Sequence, residues 1–347
     1  MGLSLPPSPR ILIVMMSAVG DAVHVLPVVT SLKRHDPGAR ITWILQPGPA
    51  SLVRGHPDVD EIVTFERARR WRAFLDVRRA LRARDFDLVL NLQVYFKASI
   101  VTALVPGPVK LGFDRARALD GNYLVTTHRI PPHPPQHVQD QYFEFLDHLG
   151  VDPEPVEWKL GPWPGERAWQ AAFFRRFEKP VVSLVIAASD PAKNWTPEGW
   201  AALHDALAGH YGMQPVIVGG RSVAEEAMEA QIRERVRSPV VSTLGASLRE
   251  LVAILDGSAL VVSPDTGPLH MAVALGRPVI TLAGVMNPKR TGPYRRFHDL
   301  IVDAYGRPGE VYGVTRERRP GGMRRIAIAD VLEKVDLWRS KYAEAAK

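Results

Sequence analysis

The chain has 347 residues, no cysteine and a formal net charge of +7. The absence of cysteine excludes a disulfide framework and any thiolate metal site or nucleophile. Hydrophobic residues at 46% and charged residues at 23% predict a folded globular protein, and the length suits two domains. The positive charge indicates an anionic partner, namely nucleic acid, a membrane surface or a phosphorylated substrate. An arginine-rich composition without functional meaning would give the same charge.

Short apolar runs alternate with amphipathic stretches through the first half. The run at residues 11–15 is followed by no A-x-A cleavage pattern, so it predicts a buried strand and not a signal peptide. Further strands are predicted at residues 41–45, 62–65 and 88–92. Helices are predicted up to about Arg34, with Pro27 in the first turn, and at about residues 71–84 and 137–149. No stretch approaches the roughly 20 apolar residues that span a bilayer.

A span rich in proline and glycine, residues 151–165, is predicted to be a linker. The alternation then resumes, with strands predicted near residues 181–187, 215–218, 240–242, 259–262 and 279–282. Helices are predicted near residues 197–210, 223–236, 248–256 and 328–345. This rhythm in both halves predicts an α/β fold of two Rossmann-like domains, each with a doubly wound parallel sheet. We expect the two domains to face a cleft that holds the ligand.

The strongest local motif is SPDTGPLH at residues 263–270, which follows an apolar run and opens a short helix. Thr266 suits the cap of that helix, and Gly267 allows a ligand to approach the backbone. The amides of a helix N-terminus bind anions such as the diphosphate of a nucleotide sugar. A carboxylate repels phosphate, so Asp265 is expected to orient the turn or to accept hydrogen bonds from sugar hydroxyls. Alternatively, the motif is a helix cap that binds nothing, and His270 is a packed histidine.

A second motif, ASDPAKNW at residues 188–195, follows the first strand of the second half. Lys193 would lie in a loop at the carboxyl end of that strand. A cation there can stabilise charge on a departing phosphate, which matters most in the transition state. The alternative is that Lys193 is a solvated loop lysine.

Two further motifs follow predicted strands. Asp21, after the first strand, could act as a general base if burial makes it more basic, or could cap the helix that follows. Gly219 and Gly220 allow close approach of a ligand, and Glu225 or Glu226 just beyond them can hydrogen-bond ribose hydroxyls. This second pattern is only weakly specific, because many nucleotide-binding folds contain it.

A basic stretch surrounds Trp71 and Leu75, and its arginines are Arg67, Arg69, Arg70, Arg72, Arg78, Arg79, Arg82 and Arg84. The pattern is typical of a basic amphipathic helix that meets a membrane surface or an anionic acceptor, unless it is only a solvated face. Lys97 is a separate cation at a strand end. No Asp-x-Asp pair stands where a divalent ion would bridge a diphosphate, and no His/Asp/Glu cluster has metal spacing. We therefore expect lysine and helix amides, and no metal, to bind phosphates.

Six segments together resemble glycosyltransferase family 9, the ADP-heptose:lipopolysaccharide heptosyltransferases. In the family's order they are ILIVMMSAVGDAVHVLPVVTSLK, DLVLNLQVYFKAS, GFDRAR, AKNWTPEGWAAL, VIVGG and SPDTGPLHMAVALGRPVITLAG. They cover almost the whole chain, and their joint occurrence is specific. The resemblance implies a GT-B fold and an inverting glycosyltransferase that needs no metal or other cofactor. Its donor would be ADP-heptose, and its anionic acceptor Kdo–lipid A or the heptosylated form in the lipopolysaccharide core.

The resemblance also implies a domain plan and a location. Residues 1–155 would be the acceptor domain, residues 166–327 the nucleotide-sugar donor domain, and residues 328–347 a helix that packs back on the N-terminal domain. The protein would be cytoplasmic, held peripherally at the inner face of the inner membrane, with no nucleic-acid partner.

Roles for donor-site residues follow from the resemblance. Lys193 matches the lysine that contacts the donor phosphate, and Ser189 falls where the family has a phosphate-binding hydroxyl. Asp265 matches the acid that contacts the sugar, with Thr266 and Gly267 at the phosphates. The helix that these residues open is expected to present its amides to the same diphosphate.

The remaining matches concern the acceptor and the ribose. Asp21 matches the catalytic base, which would take the proton from the acceptor hydroxyl as its oxygen attacks the anomeric carbon. Lys97 would contact an acceptor phosphate. Glu225 or Glu226 would meet the ribose, with the register between them open.

The sequence departs from the family at Ala188, where a second hydroxyl is often found, and at Ala192, where some members have an acid. A GT-B enzyme that uses another nucleotide sugar therefore stays open, as does a nucleotide-sugar epimerase. A non-catalytic nucleotide-sugar-binding protein stays open as well. Charge alone would also permit a nucleic-acid binder.

Overall fold

The computed structural model describes Leu3 and residues 5–343. These residues form two compact units. The first contains the residues up to Pro134 together with Val138–Lys159, and the second contains Pro135–His137 and the residues from Leu160 onward. The boundary after Lys159 lies within the span that the sequence predicts as linker. The inclusion of three residues, 135–137, in the second unit is not anticipated by any sequence pattern.

Six strands form the sheet of the first unit: β1 (Arg10–Val14), β2 (Arg40–Leu45), β3 (Glu61–Thr64), β4 (Leu88–Asn91), β5 (Val109–Gly112) and β6 (His128–Arg129). All neighbours are parallel, in the order β3-β2-β1-β4-β5-β6. The helices of this unit are α1 (Val19–His35), α2 (Pro47–Val53), α3 (Arg72–Leu81), α4 (Phe96–Leu104) and α5 (Val138–Leu149).

The second unit repeats this architecture with β7 (Val181–Val185), β8 (Gln214–Val218), β9 (Val241–Ser242), β10 (Leu260–Pro264), β11 (Val279–Ala283) and β12 (Ile301–Asp303). The strands are again parallel, in the order β12-β11-β10-β7-β8-β9. Its helices are α6 (Pro164–Phe174), α7 (Pro197–Gly209), α8 (Val223–Arg233), α9 (Leu248–Gly257), α10 (Gly267–Ala274), α11 (Pro288–Thr291) and α12 (Ile328–Lys341). The predicted α/β class with two doubly wound parallel sheets is confirmed.

The central strands read as unbroken apolar runs because helices cover both faces of each sheet. β1 is buried from Ile11 to Val14, and β7 and β10 are buried along their whole length. In the first unit, α3 and α4 pack through Ala73, Val77 and Ala98 onto one continuous core with the sheet. This packing sets where the loops at the carboxyl ends of the strands emerge, and those loops carry the site residues.

The predicted place of Pro27 is wrong. The helix begins at Val19, directly after the first strand's turn, so Pro27 lies in the interior of α1 and not in its first turn. An interior proline removes one backbone hydrogen bond and costs roughly 3 kcal/mol. A continuous buried stretch from Ala22 to Leu32 offsets that cost, because tertiary packing stabilises the helix more than local propensity does.

The sequence predicts that residues 328–347 pack back on the N-terminal domain, and this packing stays a prediction. α12 belongs to the second unit, where it contacts α7, β11 and β12 and buries Val331, Val335 and Trp338. These three residues form a buried stripe at helical spacing. The predicted end of the helix at Ala345 lies outside the described residues.

Candidate active site

Two loops of the second unit meet at the carboxyl edge of its sheet. β7 and β10 are parallel neighbours, so the loops that follow them emerge side by side. The loop after β7 carries Lys193, and the turn after β10 carries Asp265. The Lys193 ammonium donates to the Asp265 carboxylate and to the Asp265 main-chain oxygen, each at 3.0 Å. The structure thus brings together two residues that lie far apart in the sequence and belong to separate motifs.

Asp265 has three charged or polar partners. Besides Lys193, its Oδ2 accepts a hydrogen bond from the Thr291 hydroxyl at 3.0 Å, and its Oδ1 lies 3.6 Å from His270 Nε2. Burial alone would raise the pKa of Asp265, but His270 and Lys193 more than reverse this and hold that pKa well below its usual range. Asp265 is therefore a fixed anion whose orientation is set from three sides.

His270 is buried and contacts Asp265 from the first turns of α10. The sequence leaves open whether it is a packed residue or a site residue. Its ring is buried and one ring nitrogen faces the Asp265 carboxylate, so the packing is observed and the role as a site residue stays a prediction.

The N-terminus of α10 lies beside this cluster. Thr266 occupies the cap position but makes no capping hydrogen bond with its side chain, so the predicted side-chain cap is wrong. The second helical residue is Pro268, which has no N–H to offer a cap. The Thr266 hydroxyl instead lies 3.2 Å from Ser263 Oγ and 3.4 Å from the Pro264 oxygen. The first-turn amides at Gly267 and beyond are consequently left for another acceptor, which suits an anion.

The loop that carries Lys193 is held at both ends. Asn194 accepts a hydrogen bond from the Ala188 N–H at 2.7 Å, and the buried Trp195 donates from Nε1 to the Ile326 oxygen at 3.0 Å. Asp190 caps the short turn before Lys193 and forms an ion pair with Arg318. Ser189 is exposed at the tip of this loop, where its hydroxyl is accessible to a ligand.

The glycines after β8 are covered by Glu225. Its carboxylate accepts hydrogen bonds from the Gly220 N–H at 2.8 Å and from the Ser222 N–H at 2.8 Å. A side chain at Gly219 would meet this carboxylate, and its φ of +154° also favours glycine. Glu226, by contrast, is exposed and lies 3.3 Å from Arg221. The structure therefore places Glu225 against both glycines, and the assignment of either glutamate to a ribose stays a prediction.

In the first unit, Asp21 lies in the first turn of α1 at the carboxyl edge of the sheet. It is half-buried, and its Oδ2 accepts a hydrogen bond from the Ala18 N–H at 2.8 Å. An acid at this position is also favoured by the helix dipole. Asp21 therefore fulfils the helix-terminus role that the sequence leaves open, and its role as a base stays a prediction.

Gln93 has no role in the predictions from sequence. It lies in the loop after β4, the neighbour of β1, and donates from Nε2 to the Ser17 oxygen at 2.7 Å. Its Oε1 accepts from the Met16 N–H at 3.1 Å. Gln93 thus fixes the loop that leads into Asp21. A polar residue directly after a buried strand is the signal that would have found it. Thr291 has no such signal, because it lies in a short helix remote in sequence from Asp265.

Lys97 lies in the first turn of α4 and is exposed. The prediction places it at a strand end, but the helix starts at Phe96, only five residues after β4 ends at Asn91. Because β1 and β4 are parallel neighbours, Lys97 and Asp21 lie at the same edge of the first sheet. Among the described residues, no hydrogen bond or ion pair joins Lys97 to Asp21.

Two features bear on the class of site. Within the described ranges, no three His, Cys, Asp or Glu side chains are grouped so that they could hold a metal ion. Over the same part of the chain, no helix is both long enough and apolar enough to cross a membrane.

Several known proteins are similar to this chain over most of its length. Residues 74–308 match glycosyltransferase family 9 (heptosyltransferase). The lipopolysaccharide core heptosyltransferase OpsX of Haemophilus influenzae is 28% identical over 84% of this chain and 84% of its own length. Lipopolysaccharide heptosyltransferase 1 of Salmonella typhimurium is 31% identical over 82% of this chain and 91% of its own length.

A solved structure is similar over nearly the whole length of both chains. It is that of the E. coli heptosyltransferase WaaC with ADP, which has a TM-score of 0.73, 26% sequence identity and coverage of 96% of this chain and 99% of that one. The two six-stranded sheets described above are accordingly a GT-B fold. With the family match extending over residues 74–308, the chain belongs to glycosyltransferase family 9 and is a glycosyltransferase.

Proposed function

We propose that this enzyme is an inverting, metal-independent heptosyltransferase that moves heptose from ADP-heptose to the lipopolysaccharide inner core. The acceptor would be Kdo–lipid A or heptosyl-Kdo–lipid A. The observation that carries the proposal is the contact of Lys193 with Asp265 beside the N-terminus of α10. The assignment of the sugar and the acceptor is supported by the relatives, which are lipopolysaccharide heptosyltransferases.

The donor diphosphate would bind between Lys193 and the first-turn amides of α10. Lys193 is a cation with 21% of its side chain exposed, so it can contact a phosphate while it keeps its bond to Asp265. The interaction of the phosphate with Lys193 and with these amides is strongest when charge builds on the departing phosphate. Both groups therefore stabilise the transition state more than the bound donor. Asp265 would accept hydrogen bonds from sugar hydroxyls, and its negative charge would stay compensated by its three present partners.

Asp21 would serve as the general base. In the transfer, the acceptor oxygen forms a bond to the anomeric carbon while the bond from that carbon to the phosphate oxygen breaks. The acceptor proton goes to Asp21, and ADP leaves with the electron pair. Attack from the side opposite the leaving phosphate gives inversion. The Ala18 N–H would hold the carboxylate in one orientation for this step, and Gln93 would fix the loop that carries Ala18 by its hydrogen bond to Ser17.

Lys193 and the α10 amides would take the place that a divalent ion has in metal-dependent transferases. This part of the proposal is tested by measuring turnover after extensive treatment with EDTA. We expect the rate to remain unchanged. Abolition of activity by EDTA, with recovery on addition of Mg²⁺ or Mn²⁺, would overturn it.

The protein is further proposed to work in the cytoplasm, peripherally at the inner face of the inner membrane. A lipid-linked acceptor would be presented there. The arginines of the segment 67–84 supply positive charge for an anionic surface.

The donor is tested by calorimetric titration with ADP-heptose, UDP-glucose, GDP-mannose and free ADP. Binding of ADP-heptose and ADP alone is expected. Binding of a UDP or GDP donor instead would keep the transferase and move it to another sugar-transfer step, as Ala188 and Ala192 leave open. A nucleotide-sugar epimerase would release ADP without any acceptor and invert the sugar, and a non-catalytic binding protein would release none.

A further inference from the structure

A group of large apolar side chains is exposed on the first unit. Trp71, Tyr95, Phe96 and Leu124 are each more than half exposed, and Leu75 is 44% exposed. Scattered single hydrophobic residues on a surface are ordinary, whereas a contiguous group of them marks an interaction site.

The packing of α3 and α4 places them at one edge. Both helices cover the same face of the first sheet and share one apolar core with it. Trp71 directly precedes α3, and Tyr95 and Phe96 open α4. Each helix follows a strand of the same parallel sheet, so both N-termini lie at the carboxyl edge.

The turn that carries Leu124 joins the same edge. The Phe96 N–H donates to Asp120 Oδ2 at 3.1 Å, which ties that turn to the start of α4. The helical turn at Asn122–Leu124 also contacts α4. We define the apolar rim as the group of Trp71, Leu75, Tyr95, Phe96 and Leu124.

Positive charge adjoins the apolar rim along α3. On α3, Ala73, Val77 and Leu81 face the core at helical spacing. The opposite, exposed face carries Leu75 together with three arginines, which are Arg78, Arg79 and Arg82. None of these three arginines forms an ion pair with any carboxylate in the described part of the chain. The outer face of α3 therefore combines apolar side chains with uncompensated cations.

We propose that the apolar rim and the outer arginines of α3 dock on an anionic lipid bilayer. Trp and Tyr favour the headgroup level of a membrane, and an arginine near an anionic surface strengthens binding about fivefold. Nucleic acid is the less favoured partner: bases could stack on the three aromatic residues, but exposed Leu75 and Leu124 would gain nothing from stacking, whereas lipid would cover all five rim residues. A membrane also fits the position of Asp21 at the same edge of the sheet.

This inference deepens the proposed function and rests on it for the nature of the acceptor. A lipid-linked acceptor has its sugar just outside the bilayer. A docking surface at the edge that carries Asp21 would bring that sugar within reach of the base. Anionic lipid would then raise the rate of transfer to a membrane-embedded acceptor and leave transfer to a soluble, delipidated acceptor unchanged.

The test is flotation of the full chain with vesicles, either pure phosphatidylcholine or phosphatidylethanolamine with phosphatidylglycerol. We expect binding to the anionic vesicles only, weakened by salt. A double variant, Trp71→Ser with Phe96→Ser, is expected to lose about tenfold or more of this binding. The triple variant Arg78→Gln, Arg79→Gln, Arg82→Gln should lose binding and its salt dependence together. The control is Val311→Ser, a change at an exposed apolar residue of the second unit that should bind as the parent does.

Equal binding by the parent chain and both multiple variants would overturn the docking surface, as would binding to duplex DNA in preference to anionic vesicles. Transfer from ADP-heptose to the delipidated acceptor separates this result from the proposed function. If the variants lose vesicle binding but the parent never uses ADP-heptose, the docking surface stands and the proposed function fails. If transfer from ADP-heptose proceeds while the variants bind vesicles as the parent does, the proposed function stands and the docking surface fails.

Discussion

The Lys193 ammonium lies 3.0 Å from both the carboxylate and the main-chain oxygen of Asp265. One side chain thus ties the loop after β7 to the turn after β10, and it does so at the edge where parallel strands present their ligands. The pair fixes the position of a cation next to the N-terminus of α10. Because Thr291 and His270 also contact Asp265, the carboxylate that holds the cation is itself positioned from α11 and α10.

Removal of the cation should damage donor binding and turnover together. Lys193→Ala is expected to weaken donor affinity by about 10- to 100-fold, the loss of one charged hydrogen bond. Turnover should fall as well, since charge on the departing phosphate is no longer offset. The measurement is calorimetric titration with ADP beside steady-state kinetics.

The control for this variant is Lys179→Ala, which removes an exposed lysine of the same unit. It should leave both quantities unchanged. Unaltered donor affinity and turnover in Lys193→Ala would remove Lys193 from the site.

Thr291 should act through Asp265. Thr291→Val keeps the volume of the side chain but removes the hydroxyl that donates to Asp265 Oδ2. We expect turnover to fall about fivefold, the equivalent of roughly 1 kcal/mol for one hydrogen bond, with a smaller change in donor affinity. Thr291→Ser restores the hydroxyl and should restore the rate. If Ser and Val variants behave alike, the hydroxyl is not what positions Asp265.

The role of Asp21 is tested best by Asp21→Asn. The amide oxygen can still accept the Ala18 N–H, so the start of α1 should stay intact, while the base is lost. Turnover is expected to fall by about 10²–10⁴-fold, the range for a general base, and ADP should bind as before. Turnover within a few-fold of the parent would rule out Asp21 as the base. Asp21→Ala additionally removes the acceptor for Ala18 and should lower the thermal midpoint.

His204 predicts a pH dependence of stability. Its ring is fully buried, Nδ1 lies 2.9 Å from Ser238 Oγ, and Nε2 has no partner among the described residues. Burial lowers the pKa of His204 in the folded protein, against an opposing effect of Asp205. As pH falls below about 6.5, the unfolded chain therefore takes up a proton before the folded chain does.

The free energy of unfolding should consequently decrease from about pH 6.5 downward, by up to roughly 1.4 kcal/mol per pH unit from this residue. Urea unfolding of the parent and of His204→Gln between pH 5 and pH 7.5 measures it. The variant should show a shallower slope than the parent. Parallel slopes in the parent and His204→Gln would contradict the account.

The sequence predicts the parts of this fold that repeat in a pattern. The buried strands β1, β7 and β10 are unbroken apolar runs, and that pattern survives because both sheet faces are covered. β6 has only two residues and leaves no such pattern. The start of α1 escapes prediction because Pro27 suggests a helix start, whereas burial of the stretch around it decides the outcome.

The candidate site also has a part that the sequence predicts and a part that it does not. Lys193 and Asp265 could be named from their motifs, because each follows a strand and the topology brings strand ends together. Their direct contact, and the addition of Thr291 from a short helix further along, depend on tertiary packing that no local pattern encodes. Thr266 stands at the expected cap position, but its hydroxyl lies by Ser263 Oγ and the Pro264 oxygen, a side-chain placement that the motif does not encode.

The most direct test is the release of ADP from ADP-heptose by the purified chain, with and without Kdo–lipid A, with mass spectrometry of the acceptor. We predict that ADP release depends on the acceptor, that the acceptor gains one heptosyl unit for each ADP formed, and that Asp21→Asn loses both the release and the gain. Release of ADP without acceptor, or an acceptor of unchanged mass, would contradict the assignment of this enzyme as a heptosyltransferase.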